Sequence, residues 1–461
     1  MRERAGRGLV PWPWALAALT AAGAVARFST LSVQSFWLDE GVTHQLLTRP
    51  FTSMLSAIPH SESTPPLYYA VAWPWVRVFG AGETGLRSLS ALFGTATIVL
   101  VALVARRLAG DRAALAAAAL AATNPLLIWY SQEARAYALL VMLVALSIVC
   151  LQRERLGAWA LVAVLALATH YFSAFVVVPE AGWVLWRYRR RAFPPLLAVG
   201  VAGAALVPLV VVQAGGSRAA FIHSSSLASR LAAVPKQFLV GYATPHATVL
   251  VAVAVAIAMA LALSLRREDR PLLALAVLAA GVPALLAIAG ADYLITRNVL
   301  AALVPLLVVA GAAAARTRAG PFLVAGLCAV GVVAFAGVET NVAYQRDDWR
   351  GVARALGPLT GAARAIVVDP ASGVVPLEVY APTMAEMPAS AVISTSEVDV
   401  VLLGGHPEHA APALPGFGAS LLHSGGFTIV RYTAPASAAV DYGELVGLRL
   451  VAPPPAVLTQ P

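Results

Sequence analysis

The chain has 461 residues, of which 59% are hydrophobic and 12% charged, and its formal net charge is +9. Soluble domains have about 25% charged residues, and a chain with a mean hydropathy of +0.77 could not cover its surface with polar groups. The composition excludes a soluble enzyme, a disordered scaffold and a secreted disulfide module, and it predicts an α-helical polytopic membrane protein. The arginines cluster in short connections between apolar runs, as the positive-inside rule requires, which argues against a nucleic-acid partner.

A membrane-spanning helix needs about 17–25 apolar residues, and eleven apolar runs of this length or slightly shorter occur along the chain. They cover residues 11–30, 85–105, 113–131, 135–151, 156–170, 172–187, 193–213, 246–264, 271–290, 297–314 and 320–338. We interpret 156–187 as two short spans that turn near His170 and Tyr171, because this hairpin returns Arg187 and the arginines at 189–191 to the cytoplasm. The sequence therefore predicts about eleven transmembrane helices.

The predicted topology follows from the same charges. The N-terminus, with Arg2, Arg4 and Arg7, is predicted to be cytoplasmic, and the first apolar run is interpreted as a retained span, not a cleaved signal peptide. Eleven crossings of the plasma membrane then leave the C-terminus extracytoplasmic. We expect a transmembrane domain at 1–338, with outer loops 31–84 and 214–245, and an extracytoplasmic domain at 339–461.

The last part of the chain changes character. Short β-branched runs bounded by Gly and Pro, at 365–369, 398–403 and 427–432, predict a small α/β domain. A disordered tail is the alternative, because Ala, Pro and Ser are abundant there. These predicted strands carry no convergent acid, base and nucleophile, so the domain is expected to recognise an acceptor or to cover the site.

Polar residues at the outer ends of the spans are the candidates for chemistry, because polar groups near lipid are costly unless they act or pair. The first is the acidic pair Asp39 and Glu40, for which a solvated acidic turn is the alternative. An aromatic segment at 64–80 is expected to form an interfacial helix. The remaining candidates are Trp37, Tyr68, Tyr69, Glu133, Arg135, Tyr137, His170, Tyr171 and Arg297. Anchoring of the chain at the interface is the alternative for the aromatic residues and for Arg135, and an interfacial histidine with satisfied hydrogen bonds is the alternative for His170.

Together these motifs resemble the GT-C glycosyltransferases, and in particular the bacterial relatives of protein O-mannosyltransferases and of the lipid A aminoarabinose transferase. The residues that carry the resemblance are FWLDEG, PPLYY, QEARAY, the His-Tyr turn, and Arg-Asn at the start of a Pro-containing late span. The resemblance covers about residues 10–350, although the chain has no DxD triplet. It implies a polyprenyl-phosphate sugar as donor and an extracytoplasmic lipid, polysaccharide or protein as acceptor.

The chemistry of the donor that the resemblance implies gives these residues roles. Asp39 is the expected general base, which takes the proton of the acceptor hydroxyl, and Glu40 assists or orients the acceptor. Arg135 and Arg297 are expected to bind the donor phosphate, which leaves as an anion and needs positive charge. With one base and no covalent intermediate, the displacement inverts the anomeric centre. The other candidates are expected to line the substrate pocket.

No cofactor is predicted, and a divalent metal is not indicated. The only histidine pair with a short spacing, His406 and His409, lies in a Gly/Pro-rich loop without a third ligand nearby. Cys150 and Cys328 lie inside apolar runs and match neither a metal spacing nor a disulfide framework.

The main alternative function is a transporter or flippase of polyprenyl-linked sugars, which would also have eleven or more spans. Transporters usually carry inverted repeats and polar sites at the membrane midplane. This sequence has no evident repeat, and its polar residues gather at the outer face, which favours an enzyme. A structural partner in an envelope complex is the third interpretation, and it would leave the acidic pair inert.

Overall fold

The computed structural model describes residues 11–215, 221–222, 224–359, 363–404, 412–448 and 455–460. The chain divides into two compact units. The helical unit contains Met1–Leu31 and Leu46–Gly337, and the sheet unit contains Ser32–Gln45 and Val338–Pro461. The sequence-based expectations for Arg2, Arg4, Arg7, His406 and His409 lie outside the described residues.

Most of the described chain is helical. The helices that end before residue 190 are α1 (Trp12–Phe28), α2 (Leu38–Thr48), α3 (Phe51–Ser61), α4 (Leu67–Phe79), α5 (Glu83–Thr123), α6 (Pro125–Ser131), α7 (Tyr137–Gln152), α8 (Leu156–Thr169) and α9 (Ala174–Tyr188). Those that follow are α10 (Phe193–Ala214), α11 (Leu227–Val240), α12 (Ala247–Ala262), α13 (Arg270–Ile288), α14 (Leu303–Ala315), α15 (Gly320–Thr340), α16 (Trp349–Leu356), α17 (Val374–Tyr380) and α18 (Tyr442–Gly447).

Within the described residues, five helical stretches are long and apolar enough to cross a membrane. They are Glu83–Thr123, Tyr171–Ala214, Arg267–Ile288, Thr296–Ala315 and Gly320–Thr340, and shorter apolar helices occupy Tyr137–Gln152, Leu156–Thr169 and Ala247–Ala262. The chain is therefore a multi-pass membrane protein, as its composition predicts. The number of crossings and the orientation of the termini stay predictions.

The long helix α5 contains a break that separates two of the predicted spans. Ala109 and Gly110 have non-helical backbone angles, and the φ of Gly110 is +82°, a conformation that glycine adopts without a Cβ penalty. Arg106 and Asp111 form an ion pair of 2.7 Å across the break. The break lies in the predicted turn between spans 85–105 and 113–131.

Close packing of small residues forms the centre of the helical unit. The second half of α5 packs on α14, and a Cβ placed on Gly311 would lie 2.7 Å from the backbone nitrogen of Ala117. Ala113, Ala114 and Ala118 are also fully buried there. Because lipid leaves little hydrophobic drive between helices, close backbone approach at small residues holds such pairs together.

A fully buried arginine connects the first helix to this core. Arg27 of α1 donates to the carbonyl oxygens of Ala121 and Ala122, at 2.9 and 3.0 Å, and to the hydroxyl of Ser131 at 3.1 Å. The two carbonyls belong to the last turn of α5, which has no intrahelical donors for them. Arg27 therefore completes the hydrogen bonding of α5 and places a positive charge at its negative end.

The sheet unit is built on a six-stranded sheet with the order β2-β6-β1-β3-β5-β4. Its strands are β1 (Arg364–Asp369), β2 (Ala385–Glu386), β3 (Val392–Leu403), β4 (Gly418–Ser424), β5 (Phe427–Asp441) and β6 (Ala456–Gln460). β1 and β3 are parallel, and the other pairs are antiparallel. The small C-terminal α/β domain predicted from the β-branched runs is confirmed.

Alternate residues of the central strands form two apolar layers, as the two-residue period of a strand requires. Ile366 and Val368 pack with Trp349 of α16 and Leu377 of α17 on one face. Val367 packs on the other face, in a cluster that includes Leu445 of α18. The sheet is therefore covered by helices on both faces.

Candidate active site

The acidic pair lies at the start of a helix. Asp39 and Glu40 occupy the first turn of α2, where carboxylates interact favourably with the helix dipole. Glu40 is fully buried, whereas Asp39 and the preceding Trp37 are half-buried. The carbonyl oxygen of Asp39 accepts a hydrogen bond of 3.0 Å from the Thr43 hydroxyl. Asp39 thus lies in the first turn of a helix and is only half-buried there.

Hydrogen bonds within the sheet unit hold the segment that carries this pair. The backbone N–H of Phe36 donates to the Tyr380 hydroxyl at 2.6 Å, and the Ser35 hydroxyl donates to the carbonyl oxygen of Asp347 at 2.9 Å. Further along α2, the Gln45 amide donates to the Glu378 carboxylate at 3.1 Å. The segment Ser32–Gln45 therefore folds with α16 and α17, although about three hundred residues separate them in sequence.

Close backbone packing adds to these bonds. A Cβ placed on Gly41 of α2 would lie 3.1 Å from the backbone of Pro376 in α17. The two helices approach at a glycine that directly follows the acidic pair. A larger residue at position 41 would separate them.

In the helical unit, Arg135 forms a buried ion pair with Glu62. The two terminal nitrogens of the guanidinium donate to the two carboxylate oxygens, each at 2.8 Å. The side chain of Arg135 is 9% exposed and that of Glu62 is 2% exposed. Parallel bonds of this kind fix the plane of the guanidinium as well as its position.

Tyr69 completes this group of three, which we call the Arg135 triad (Glu62, Tyr69 and Arg135). Its hydroxyl accepts a hydrogen bond of 2.9 Å from Arg135. Burial raises the pKa of the Tyr69 phenol well above its ordinary value, against the opposing charge of Arg135, so the phenol stays protonated. The sequence pattern does not single out Glu62, whose only signal is a carboxylate close to Thr-Pro-Pro in the first outer loop.

His170 is a buried histidine on which the charges of Arg135 and Arg297 both act. Burial, and after it the positive charges of Arg135 and Arg297, lowers the pKa of His170 to about 3. Its Nδ1 accepts a hydrogen bond of 3.3 Å from the N–H of Phe172, so the neutral ring carries its proton on Nε2. The ring of Tyr137 lies 5.4 Å from it, centroid to centroid. His170 is therefore a neutral donor near two positive charges.

Arg297 is the second residue of a 3-10 turn, Thr296–Ala302, that directly precedes α14. The loop that precedes it is held by Arg230 of α11, whose guanidinium donates to the two carboxylate oxygens of Asp292 at 2.7 and 2.5 Å and to the Leu294 carbonyl at 2.9 Å. The guanidinium carbon of Arg297 lies 5.2 Å from the ring centroid of Phe221, within cation–π range. Arg230 and Phe221 come from the second predicted outer loop and carry no motif of their own.

Tyr242, in the loop after α11, adds an aromatic group to the same neighbourhood. Its hydroxyl is hydrogen-bonded to that of Tyr130. Burial is the main cause that raises the pKa of Tyr242, and the charges of Glu133 and Arg297 act on it in opposite directions. The structure therefore gathers Glu133, Arg297 and the Tyr130–Tyr242 pair around one region of the helical unit.

Three of the predicted residues make contacts that hold the helical unit together. Tyr171 donates to the Gln213 amide oxygen at 2.6 Å, and Gln213 in turn donates to the carbonyl oxygens of Ile58 and Thr64. Tyr68 is fully buried, with its hydroxyl 3.4 Å from that of Ser90. Its ring packs edge-on against Tyr69. These contacts join helices of the helical unit, and the substrate-pocket role of the three tyrosines stays a prediction.

Comparison with known proteins identifies the architecture. The family model of dolichyl-phosphate-mannose-protein mannosyltransferases matches residues 63–214, about a third of the chain. No curated protein matches. ArnT from Cupriavidus metallidurans in the apo state has a TM-score of 0.58 and 15% identity, over 91% of this chain and 98% of that one. The same protein bound to undecaprenyl phosphate has a TM-score of 0.56 and 14% identity, over 92% and 98%. The chain has the GT-C fold.

The predicted resemblance to the GT-C glycosyltransferases is thereby confirmed. The segment matched by the family model contains Tyr69, Glu133, Arg135, Tyr137 and His170, and Glu62 directly precedes it. Asp39, Glu40 and Arg297 lie outside that segment, so their assignment depends on the motifs and on the GT-C fold. Within the described residues, no group of three or more His, Cys, Asp or Glu side chains is arranged to hold a metal ion.

Proposed function

We propose that the chain is an integral-membrane glycosyltransferase that transfers a sugar from a polyprenyl-phosphate-linked donor to an extracytoplasmic lipid, polysaccharide or protein. The GT-C fold and the match to a family of dolichyl-phosphate-mannose transferases support this proposal. A protein of the same fold, ArnT, has been crystallised with undecaprenyl phosphate. The sugar is a hexose or a pentose.

The observation that carries the proposal is a buried cationic group, Arg135, which lies within the segment that matches the mannosyltransferase family and whose guanidinium is held by Glu62 and Tyr69. The charges of Arg135 and Arg297 both act on His170, a neutral group that donates from Nε2. A polyprenyl phosphate leaves as an anion, so it needs cationic and neutral hydrogen-bond donors and no general acid. We assign Arg135 and Arg297 to the donor phosphate, and Glu133, Tyr137 and His170 to the pocket around it.

Asp39 is the proposed general base. The acceptor hydroxyl is a poor nucleophile, and a carboxylate that removes its proton in the transition state accelerates the attack. The hydroxyl oxygen forms the new glycosidic bond as the bond from the anomeric carbon to the phosphate oxygen breaks, and the anomeric centre inverts. Glu40, buried in the same turn, orients Asp39 or the acceptor, and Trp37 contacts the sugar or anchors the segment.

Incubation of the purified protein with radiolabelled undecaprenyl-phosphate sugars tests the proposal. An enzyme consumes the donor and releases undecaprenyl phosphate, by transfer to an acceptor or by slow hydrolysis. A transporter or flippase of the same lipids moves the intact donor between leaflets of a vesicle and leaves its glycosidic bond unbroken. Intact donor after prolonged incubation, together with its appearance in the opposite leaflet, would favour the transporter.

A further inference from the structure

The Arg135 triad affects how tightly the proposed enzyme binds its phosphate ligands. This inference rests on the proposed function. Arg135 is the proposed ligand of the donor phosphate, yet both of its terminal nitrogens bond to the Glu62 carboxylate at 2.8 Å. The pair is buried, so water screens it little. A lipid phosphate that approaches Arg135 therefore meets a guanidinium whose charge is largely balanced.

The charges of substrate and product explain why such a balance is useful. The donor is a phosphodiester with one negative charge, and the product is a phosphomonoester that carries about −1.5 to −2 near neutral pH. A cationic site therefore attracts the product more strongly than the donor. In a buried site this difference is large, because the electrostatic attraction increases as the effective dielectric constant falls. Without a counter-charge, the enzyme would retain its own product.

We propose that Glu62 is a positioning residue that fixes the plane of Arg135 and reduces its effective charge, so that the polyprenyl phosphate product is released. Tyr69 supports this arrangement by accepting a hydrogen bond from the same guanidinium at 2.9 Å. Glu62 touches neither the sugar nor the acceptor in this account. It acts through Arg135, and it lowers the affinity for the product more than the affinity for the donor.

The test is the affinity for undecaprenyl phosphate of the full-length protein in lipid nanodiscs. Glu62→Gln retains the shape of the side chain and removes its charge, so we expect product binding to become about ten- to a hundredfold tighter. In the transfer assay, kcat and the donor KM should both fall, and inhibition by undecaprenyl phosphate should increase. A residue that only holds Arg135 in place predicts the opposite sign, with weaker binding and a higher KM.

Matched variants separate this inference from the proposed function. Glu62→Asp keeps a charge in the buried site and withdraws it by one methylene, so it should fold and tighten binding by a smaller factor than Glu62→Gln. Glu154→Gln removes an exposed carboxylate from the turn after α7 and should leave the affinity unchanged.

Arg135→Gln should weaken binding, and unchanged binding in this variant would reject the phosphate role itself. If Arg135→Gln weakens binding while neither Glu62 variant tightens it, the inference is wrong and the proposed function stands.

Discussion

Asp39 carries the main prediction at the scale of single residues. Asp39→Asn keeps the size and polarity of the side chain in the first turn of α2, but an amide cannot accept the proton of an acceptor. Loss of a general base typically costs about 10²–10⁴-fold in rate. We expect the rate of sugar transfer to fall by that factor, while the affinity for the lipid donor stays close to that of the wild type.

Transfer rates and donor affinities of the purified variants check this prediction, with gel filtration as the test of folding. Glu40→Gln serves as the comparison, and it should reduce transfer less if Glu40 only orients its neighbour. Because Glu40 is fully buried, its effect must be corrected for any loss of stability. Transfer by Asp39→Asn within about threefold of the wild type would move the base assignment to Glu40.

At the same scale, the sequence identifies residues with a local motif and misses their partners. Arg135 and His170 stand out because each lies in a polar turn between apolar runs. Glu62 lies 73 residues before Arg135, and Arg230 lies 62 residues before Asp292. Such pairs arise only when helices pack, and no spacing rule connects their positions in the chain. Tyr171 is the converse case. Its His-Tyr motif is visible in the sequence, whereas its contact with Gln213 depends on how the helices pack.

At the scale of elements, apolar or aromatic runs predict the helices that contain them, whereas helices without such a run are not predicted. The predicted interfacial helix at 64–80 corresponds to α4 (Leu67–Phe79). The short helix α3 and the outer helix α11 lack a continuous apolar run, and their boundaries come from caps and tertiary contacts. The side chain of Ser226, for example, accepts the N–H of Ser229 at the start of α11.

The outer helix α11 carries a prediction of its own. Arg230→Met removes both bonds to Asp292 and the bond to the Leu294 carbonyl, so the loop before Arg297 loses its attachment. Charged hydrogen bonds are worth about 1.5–3 kcal/mol each. We expect donor binding to weaken by about tenfold, because Arg297 no longer has a fixed approach to the phosphate.

Lys236→Met is the matched control for this variant, because Lys236 lies on the same helix, is exposed and carries the same charge. Donor KM and product affinity are measured for both variants under identical salt conditions. Equal losses in the two variants would mean that the general positive charge of α11 matters and the loop attachment does not.

At the scale of the whole molecule, the sequence predicted the class of each part and could not predict which segments fold together. The membrane domain follows from the hydropathy of its long apolar runs, and the small α/β domain follows from short β-branched runs bounded by Gly and Pro. Ser32–Gln45 lies just after the first apolar run, and its place with Val338–Pro461 depends on contacts across the length of the chain. The bond between Phe36 and Tyr380 is an example that no local pattern encodes.

Because Ser32–Gln45 folds with the C-terminal part of the chain, the expected effect of removing the C-terminal domain changes. The sequence alone suggests an auxiliary domain, whose loss spares donor hydrolysis and reduces transfer. A chain truncated after residue 360 lacks Tyr380 and Glu378, which hold the segment that carries Asp39. We therefore expect donor hydrolysis and transfer both to fall to background, in a protein that still inserts into the membrane. Donor hydrolysis at the wild-type rate in the truncated chain would restore the auxiliary role.

The topology of the whole chain is tested by single cysteines introduced into a cysteine-free background, after replacement of Cys150 and Cys328. Positions Gly157 and Ser264 lie beside arginine-rich turns, so the positive-inside rule predicts that they are cytoplasmic. Positions Ser226 and Ser420 are exposed, and they belong to the second outer loop and to the C-terminal sheet.

An impermeant thiol reagent added to intact cells should label the cysteines at 226 and 420, and should reach those at 157 and 264 only after the membrane is opened. The hairpin at His170 decides this pattern. If residues 156–187 crossed the membrane once, every later segment would be inverted, and the cysteines at 226 and 420 would become inaccessible. Asp39, which precedes that hairpin, would then face the opposite side from Arg297, and the two could not serve one reaction.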